Sequence, residues 1–395
     1  MGGAVAVPAT LRLSPLYIIL APWCDVLDAL TLMSVRQHIA LLVTLFVAFS
    51  LWRSFRRGTQ ARLRRELLAF AGFAVTFSAT YAIGGLLPRP MASLRLLNRD
   101  AVAVDFHSHT RASWDGRHSF SSESNRSWHR DAGFNASYIS DHGTLTGVIE
   151  GESQNPGFSG DGTVILPAVE VRCEGQHVVI LGATIHEGTP DCSSATIPAA
   201  SVGAASRGAS TPGMITLLTL PARLALDRRI PQSEAIEISD GAPRALDQMQ
   251  RDGALIRRVA KSNDLAVVAS SNNHGWGRTA AAWSVLEIPH WRSFTPSELD
   301  AAIRSRLATR RGKSVYVVER RRVVPPTSSV ALIETLPLIG WNLLTTLSSA
   351  ERISWIVWTW TLWALLGAGF PFAAARVRYL AGGSRPDEAL RKVNL

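Results

Sequence analysis

The stretch Val102–Gly116, VAVDFHSHTRASWDG, decides how the rest of the chain is read. An apolar run alternates into Asp105, His107 and His109, and Asp115-Gly116 follows on the next loop. In a β-strand, residues i and i+2 point to the same side. His107 and His109 therefore aim two imidazoles at one point, as a metal site requires. Asp115 lies within reach of the same pocket. The first expectation is a metal-dependent hydrolase domain held between membrane segments.

Around this stretch, residues 100–325 have the mixed composition of a soluble domain. Strands are predicted at Val102–His107, Ala136–His142, Val164–Cys173, His177–Thr184, Met214–Leu220, Ala235–Ser239 and Leu265–Ser271. Helices are predicted at Ser122–Asp131, Pro243–Ser262 and Pro296–Thr309. Alternation of this kind argues for parallel βα units, and about seven of them in this length point to a barrel. Glu187–Pro212 is rich in Ser, Ala, Gly and Pro without periodicity and reads as a loop on the surface or over the site.

The flanks are apolar. Val35–Trp52 and Leu67–Leu87 are predicted spans, enclosing a block with Arg53, Arg56, Arg57, Arg62, Arg64 and Arg65. Residues 1–99 thus form an N-terminal membrane region. Leu16–Met33 carries Asp25 and Asp28 and reads as an interfacial helix or a poor span. No cleaved signal peptide is expected. Residues 326–395 form a C-terminal membrane region. In it Val330–Leu347, with Glu334, Pro337 and Asn342, reads as interfacial or re-entrant, Ile353–Ala373 as a third span, and the end as a basic tail. Arg-rich segments stay in the cytoplasm. The expectation is a multi-pass membrane protein with an extracytoplasmic hydrolase domain and a cytoplasmic tail. The Arg-rich stretch Arg304–Arg322 stands against that orientation, although long domains cross regardless of charge.

The net charge is +10, and only three of the 41 basic residues are Lys. The Arg clusters flank apolar runs, which favours contact with anionic membrane lipid over nucleic acid. No nucleic-acid-binding signature is present, so no nucleic-acid partner is expected. Cys24, Cys173 and Cys192 show no CxxC spacing. The last two either pair, if the domain is exported, or are buried thiols. No GxSxG elbow supports serine catalysis.

Ligand-type side chains track the predicted strand ends. His107 and His109 close the first strand, His142 the second, Glu170 stands late in the third, and His274 follows the seventh. In a parallel barrel, functional side chains gather where strands run out into loops. His177, at the start of a strand, fits this pattern least well. His38, His118, His129, His186 and His290 fit no such position and read as ordinary.

In this order, DFHSHT–SWDG, ISDH, LPAVEV with HVVILG, and SNNHGWG resemble the PHP family, the polymerase and histidinol phosphatase domains. The resemblance covers roughly residues 100–290. It implies a distorted (βα)7 barrel and one to three divalent metal ions (Zn, Mn or Fe) at the C-terminal ends of the strands. It also implies hydrolysis of a phosphate ester on a phosphorylated small molecule, a lipid headgroup or a nucleotide. Carried over, His107, His109 and Glu170 hold one metal and its catalytic water, with help from Asn272. Glu170 bridges to a second metal that His177 also binds, and Asp115, His142 and His274 hold a third. Asp105 and Asp141 are expected to orient imidazoles as hydrogen-bond acceptors. Arg111 and Arg278 are candidate phosphate binders.

Two positions depart from the family pattern. Leu220 stands where a histidine is usual, and Asn272 where an aspartate is usual. The Asp115, His142 and His274 set is complete, so a mono- or dinuclear centre is expected ahead of a trinuclear one. The alternative is a catalytically degenerate PHP-like barrel acting as a binding or sensory module.

Overall fold

The computed structural model describes residues 9–56, 63–173, 176–183, 213–219, 233–310, 312, 314–319 and 331–382. Leu220, Cys192, the stretch 187–212 and the tail from 383 lie outside the described residues, as does the side chain of Cys173.

Near the N-terminus, β1 (Ala9–Arg12) pairs antiparallel with β2 (Ser93–Leu96). Ser14 caps α1 (Pro15–Ile19) by accepting from the Tyr17 N–H at 3.1 Å, with Pro15 at the first helical position. The chain breaks at Leu20 and continues as α2 (Ala21–Thr31). The stretch expected as one interfacial helix or poor span is therefore two short helices, because Pro22 at the start of α2 has no N–H to continue α1, and the two acids of α2 face inward. Asp25 and Asp28 are fully buried. The Tyr17 hydroxyl stands 2.9 Å from Asp25 and 3.3 Å from Asp28 with one proton to donate, the Trp355 indole N–H donates to Asp25 at 3.0 Å, and Arg89 pairs with Asp28 at 2.8 Å. Buried carboxylates persist only when partnered in this way. These acids tie α1–α2 to the barrel approach and to the C-terminal helix.

Next come α3 (Val35–Arg56) and α4 (Leu63–Leu86), about 33 and 36 Å long at ~1.5 Å per residue. They zip together through aromatic rings, with Phe49 stacked on Phe73 at 4.9 Å, and Arg53 pairs with Glu66 at 2.8 Å. Both are long and apolar enough to cross a membrane, and only 11% and 6% of their most apolar windows are buried.

The sheet is laid around β3 (Ala101–Ser108), in which every residue is buried. After it come α5 (Ser122–Ala132), β4 (Ala136–Ile139), α6 (Thr146–Glu152), β5 (Val164–Cys173), β6 (Gln176–Leu181), β7 (Ile215–Leu218) and β8 (Ala235–Ser239). They are followed by α7 (Pro243–Ser262), β9 (Ala266–Ala269), β10 (Ala282–Glu287), α8 (Pro296–Arg310) and β11 (Tyr316–Glu319). The spatial order is β11-β10-β3-β4-β5-β6-β7-β8-β9. Ser108 bridges to Asn273 just beyond β9, so the nine strands nearly close on themselves.

This is an α/β barrel-like sheet, but not a run of seven parallel βα units. β3-β4-β5 and β7-β8-β9 are parallel. β6 is antiparallel to both its neighbours, and so is β10. The link between β5 and β6, residues 174–175, is too short for a crossover helix, so β6 can only fold back. All seven expected strands are present, and β10 and β11 were not expected.

Three apolar clusters hold the sheet to its helices. One joins Val102, Val104 and Leu166 to Ile303 and Leu307 of α8. A second packs Ile236 and Ile238 on Ile256 of α7, and a third sets Trp283 and Val285 against Trp128 of α5. Downstream, α9 (Ala331–Thr346) carries Pro337 inside it and lies along α3. The last helix, α10 (Ser349–Gly382), covers the residues Ile353–Ala373. Its Ile353, Ile356, Val357, Trp360 and Trp363 are exposed.

Candidate metal centre

Two β-bulges aim side chains at one end of the barrel. The β3–β4 register shifts between Asp105 and Ser108, and the β8–β9 register shifts between Glu237 and Ser239. Bulges re-aim side chains in this way beside functional sites. At the first, His107 and His109 bring their Nε2 atoms to 3.0 Å from each other. Glu170 Oε2 lies 3.2 Å from His107 Nε2 and 3.3 Å from His109 Nε2. His142 bridges to Glu170 along the strand direction and places Nδ1 3.2 Å from the same oxygen. His177 Nδ1 meets the other oxygen, Oε1, at 2.6 Å. One buried carboxylate thus touches four imidazoles.

The fold-back of β6 explains His177. Because β6 runs antiparallel to β5, its first residues lie at the end where β3 and β5 finish, with Arg172 opposite His177. The histidine that fitted the strand-end pattern least well reaches the site for that reason.

Asp115 stands on the loop after β3. A Cβ at Gly116 would overlap the Thr110 carbonyl, so the Asp-Gly turn admits no larger residue. Asp115 reaches His142 Nε2 at 3.4 Å and His274 Nδ1 at 3.1 Å. His274 stacks on His109 with centroids 4.0 Å apart. Its Nε2 faces Asn272 Oδ1 at 2.9 Å, while the Asn272 amide donates to Asp240 at 2.9 Å. Asn272 therefore lies between His274 and Asp240 with its side chain, while its backbone N–H donates to the His107 carbonyl at 2.8 Å and keeps it beside the histidine pair.

The other expected helpers are engaged elsewhere. Asp105 accepts from the backbone N–H groups of His107 and Ser271 and meets His129 Nε2 at 2.7 Å. Asp141 accepts from the Thr110 N–H and hydroxyl, both at 2.7 Å. Both brace the loop backbone and neither hydrogen-bonds a ligand imidazole. Arg111 pairs with Glu150 at 3.1 Å on the exposed surface. Arg278 donates to the carbonyls of Gly85 and Leu86 at the end of α4. Carbonyls left open at a helix C-terminus attract such a guanidinium.

Glu237 and Asp240 were missed in the sequence. Glu237 is fully buried, and its Oε1 lies 3.1 Å from His107 Nδ1. The available signal was a carboxylate in the otherwise apolar strand AIEIS, followed by the turn SDG. His129 was read as ordinary; it is fully buried and holds Asp105.

The electrostatics follow from burial and pairing. Burial works against the charged form of His107, but the Glu237 and Glu170 carboxylates outweigh it and hold the imidazole pKa well above 6.5. For His109 burial wins, against the opposing pull of Glu170, and lowers it to about 3. Burial opposes the Glu170 carboxylate, yet His107 first, then His109 and His177, hold its carboxyl far below the usual range. Burial, reinforced by Glu237, pushes Asp240 up to about 7.

The donor set fits a divalent metal. Nitrogen and oxygen ligands at ~2.1 Å from one ion stand roughly 3.0–3.4 Å apart, and the His107, His109 and Glu170 donor atoms are separated by 3.0–3.3 Å. His142, Glu170 and His177 form a second such group, and His107, Glu237 and Asp240 a third. His274 Nδ1 is buried with no hydrogen-bond partner, although it faces a carboxylate. A cation shared by the two would satisfy both.

No family model matches the chain, and no curated protein matches it in sequence. A two-domain Bacteroides vulgatus protein containing a predicted PHP-like metal-dependent phosphoesterase shares 12% identity, over 60% of this chain and 70% of that one, with a TM-score of 0.35. PsfC from Pseudomonas syringae shares 13%, over 62% and 99%, with a TM-score of 0.38. An amidohydrolase from Chromobacterium violaceum with bound sulfate shares 17%, over 43% and 87%, with a TM-score of 0.29.

Proposed function

We propose that this chain is a membrane-anchored, metal-dependent phosphoesterase of the PHP type. The convergence of four imidazoles on the Glu170 carboxylate carries this reading. His107, His109 and Glu170 would hold one ion, and Glu170, His142 and His177 a second. Asp115 and His274 would extend the cluster beside them. Such ions supply Lewis acidity toward a phosphoryl oxygen and a nucleophile of lowered pKa. The chain's own residues do the rest. Glu237 fixes the face that His107 presents, and His109, neutral by burial, presents a lone pair without first losing a proton. Asp141 holds the Thr110 backbone, and with it the turn that carries Asp115. Arg111 and Arg278 are tied to other partners, so the reading assigns them no phosphate.

The membrane part of the proposal rests on α3 and α4. The start of α3 and the end of α4 line a cavity beside the barrel mouth. Arg53 and Arg56 of α3 and Arg64 and Arg65 of α4 stand at the opposite ends of these helices, which supports an extracytoplasmic barrel with the basic helix ends in the cytoplasm.

Hydrolysis of 4-nitrophenyl phosphate by the full chain loaded with Zn, Mn or Fe tests the catalytic reading. His107→Ala and His142→Ala are expected to drop the rate below about one hundredth of wild type. A His142→Ala enzyme at wild-type rate would overturn the ligand assignment.

A further inference from the structure

The loop carrying Asn272, His274 and Trp276 forms one wall of a cavity of about 320 Å³. Ligand-binding cavities run from roughly 300 to 1,000 Å³, so it accommodates a small ligand or part of a larger one. The opposite wall is Leu30 of α2 with Tyr81, Gly84 and Gly85 of α4. Among the described residues, no carboxylate, Lys or Arg lines it. Polar side chains such as Thr31, His38, Thr80 and Asn272 reach its edge, but most of the surface it exposes is apolar, so a wholly polar ligand would leave groups facing these walls without partners, at a cost. An apolar chain would not.

The surroundings indicate where such a chain comes from. Trp23 and Val26 are exposed apolar side chains on α2, whose Leu30 and Thr31 line the cavity, and Leu16 and Ile19 are exposed on α1, the helix that precedes α2. Ile83 and Leu86, on the last turn of α4, are exposed as well. An apolar rim on interfacial helices is how a chain sits at a lipid boundary. The cavity thus runs from His274, at the edge of the metal cluster, to the surface expected to meet the bilayer.

We infer that the substrate is an amphiphilic phosphate ester drawn from the bilayer leaflet, with its phosphate at the His–Glu cluster and the first part of its apolar chain in this cavity. The inference rests on the phosphoesterase reading and adds the class of substrate. It assigns Gly85 a role: a Cβ there meets nothing within 4 Å, so a larger side chain would grow into the open space. The Gly85 carbonyl that accepts from Arg278 would be unchanged.

Calorimetric binding of octylphosphonate and ethylphosphonate to the full chain in a maltoside detergent tests this. Octylphosphonate is expected to bind at least tenfold more tightly. Gly85→Leu is expected to erase that preference while leaving ethylphosphonate affinity within twofold, and Gly85→Ala to reduce it only in part. Partition into detergent cancels between the three proteins, and the octyl-to-ethyl comparison in wild type uses free concentrations corrected by titrating each phosphonate into detergent alone. An unchanged thermal melt confirms that the variants fold. Equal affinities for the two phosphonates in wild type, or a preference that survives in Gly85→Leu, would overturn the inference. If the chain-length preference holds but neither octyl nor ethyl phosphate is hydrolysed, the catalytic reading fails and the recognition of the chain stands.

Discussion

Glu170→Gln is the sharpest test of the cluster. The substitution keeps volume and shape, so it opens no cavity; it removes one buried negative charge from among four imidazoles. In the metal-free protein, His107 carries a proton held by Glu170 and Glu237. Leaving a buried charge uncompensated costs about 3–5 kcal/mol. Glu237 still faces His107 Nδ1 at 3.1 Å, and His107 can shed its proton, so the expected loss is smaller, about 2–3 kcal/mol. For a domain of this size that lowers Tm by roughly 4–12 °C. The effect on metal should be larger, because Glu170 belongs to both the His107–His109 and the His142–His177 groups. We expect at least hundredfold weaker binding, about 2.7 kcal/mol. The assays are thermal melting of the metal-free protein and titration of Zn against a chelator. A variant that melts within 2 °C of wild type (a shift of roughly 1 kcal/mol or less) and keeps its metal affinity would show that the four contacts are incidental.

Other consequences can be measured with the same preparations. Glu237→Gln should weaken metal binding about 10–100-fold, the usual effect of losing a carboxylate behind a ligating histidine, and so lower the stabilisation that saturating metal gives by about 1.4–2.7 kcal/mol at fixed free metal. In the metal-free protein the raised pKa of His107 contributes stability that is complete below its ordinary value of 6.5 and lost as pH rises through the raised value. Metal affinity should run the other way, tightening with pH until His107 is deprotonated; a pH-independent affinity would contradict the pairing. Arg89→Leu strips Asp28 of its cation at 2.8 Å. It should destabilise the α1–α2 region by about 3–5 kcal/mol, visible as earlier proteolysis there, with metal content unchanged.

Much of the site was legible because His107, His109, His142, Glu170 and His274 sit where apolar runs end, and that pattern depends only on strand periodicity. His177 was harder, because its place depends on β6 folding back, and β6 reads in the sequence like any other strand. Glu237 was hidden by its neighbours: within Ala235–Ser239 it reads as one polar residue in a buried strand, and only the three-dimensional pairing with His107 gives it a role. Asp25 and Asp28 looked like faults in an apolar helix. Their partners, Arg89 and Trp355, lie far away in the chain, beyond anything local spacing reports. The antiparallel β10 escaped notice because it follows β9 without a helix between them.

The segment from His274 to Arg278 has both ends fixed. His274 is stacked in the cluster, and Arg278 grips the last carbonyls of α4. Between them Gly275 takes φ +87, with Phe120 and Arg117 pressed against the space a side chain would need, so the segment has little slack. The end of α4 and the imidazole facing Asp115 are thus tied through five consecutive residues, so the metal cluster and the helix terminus share one short anchorage.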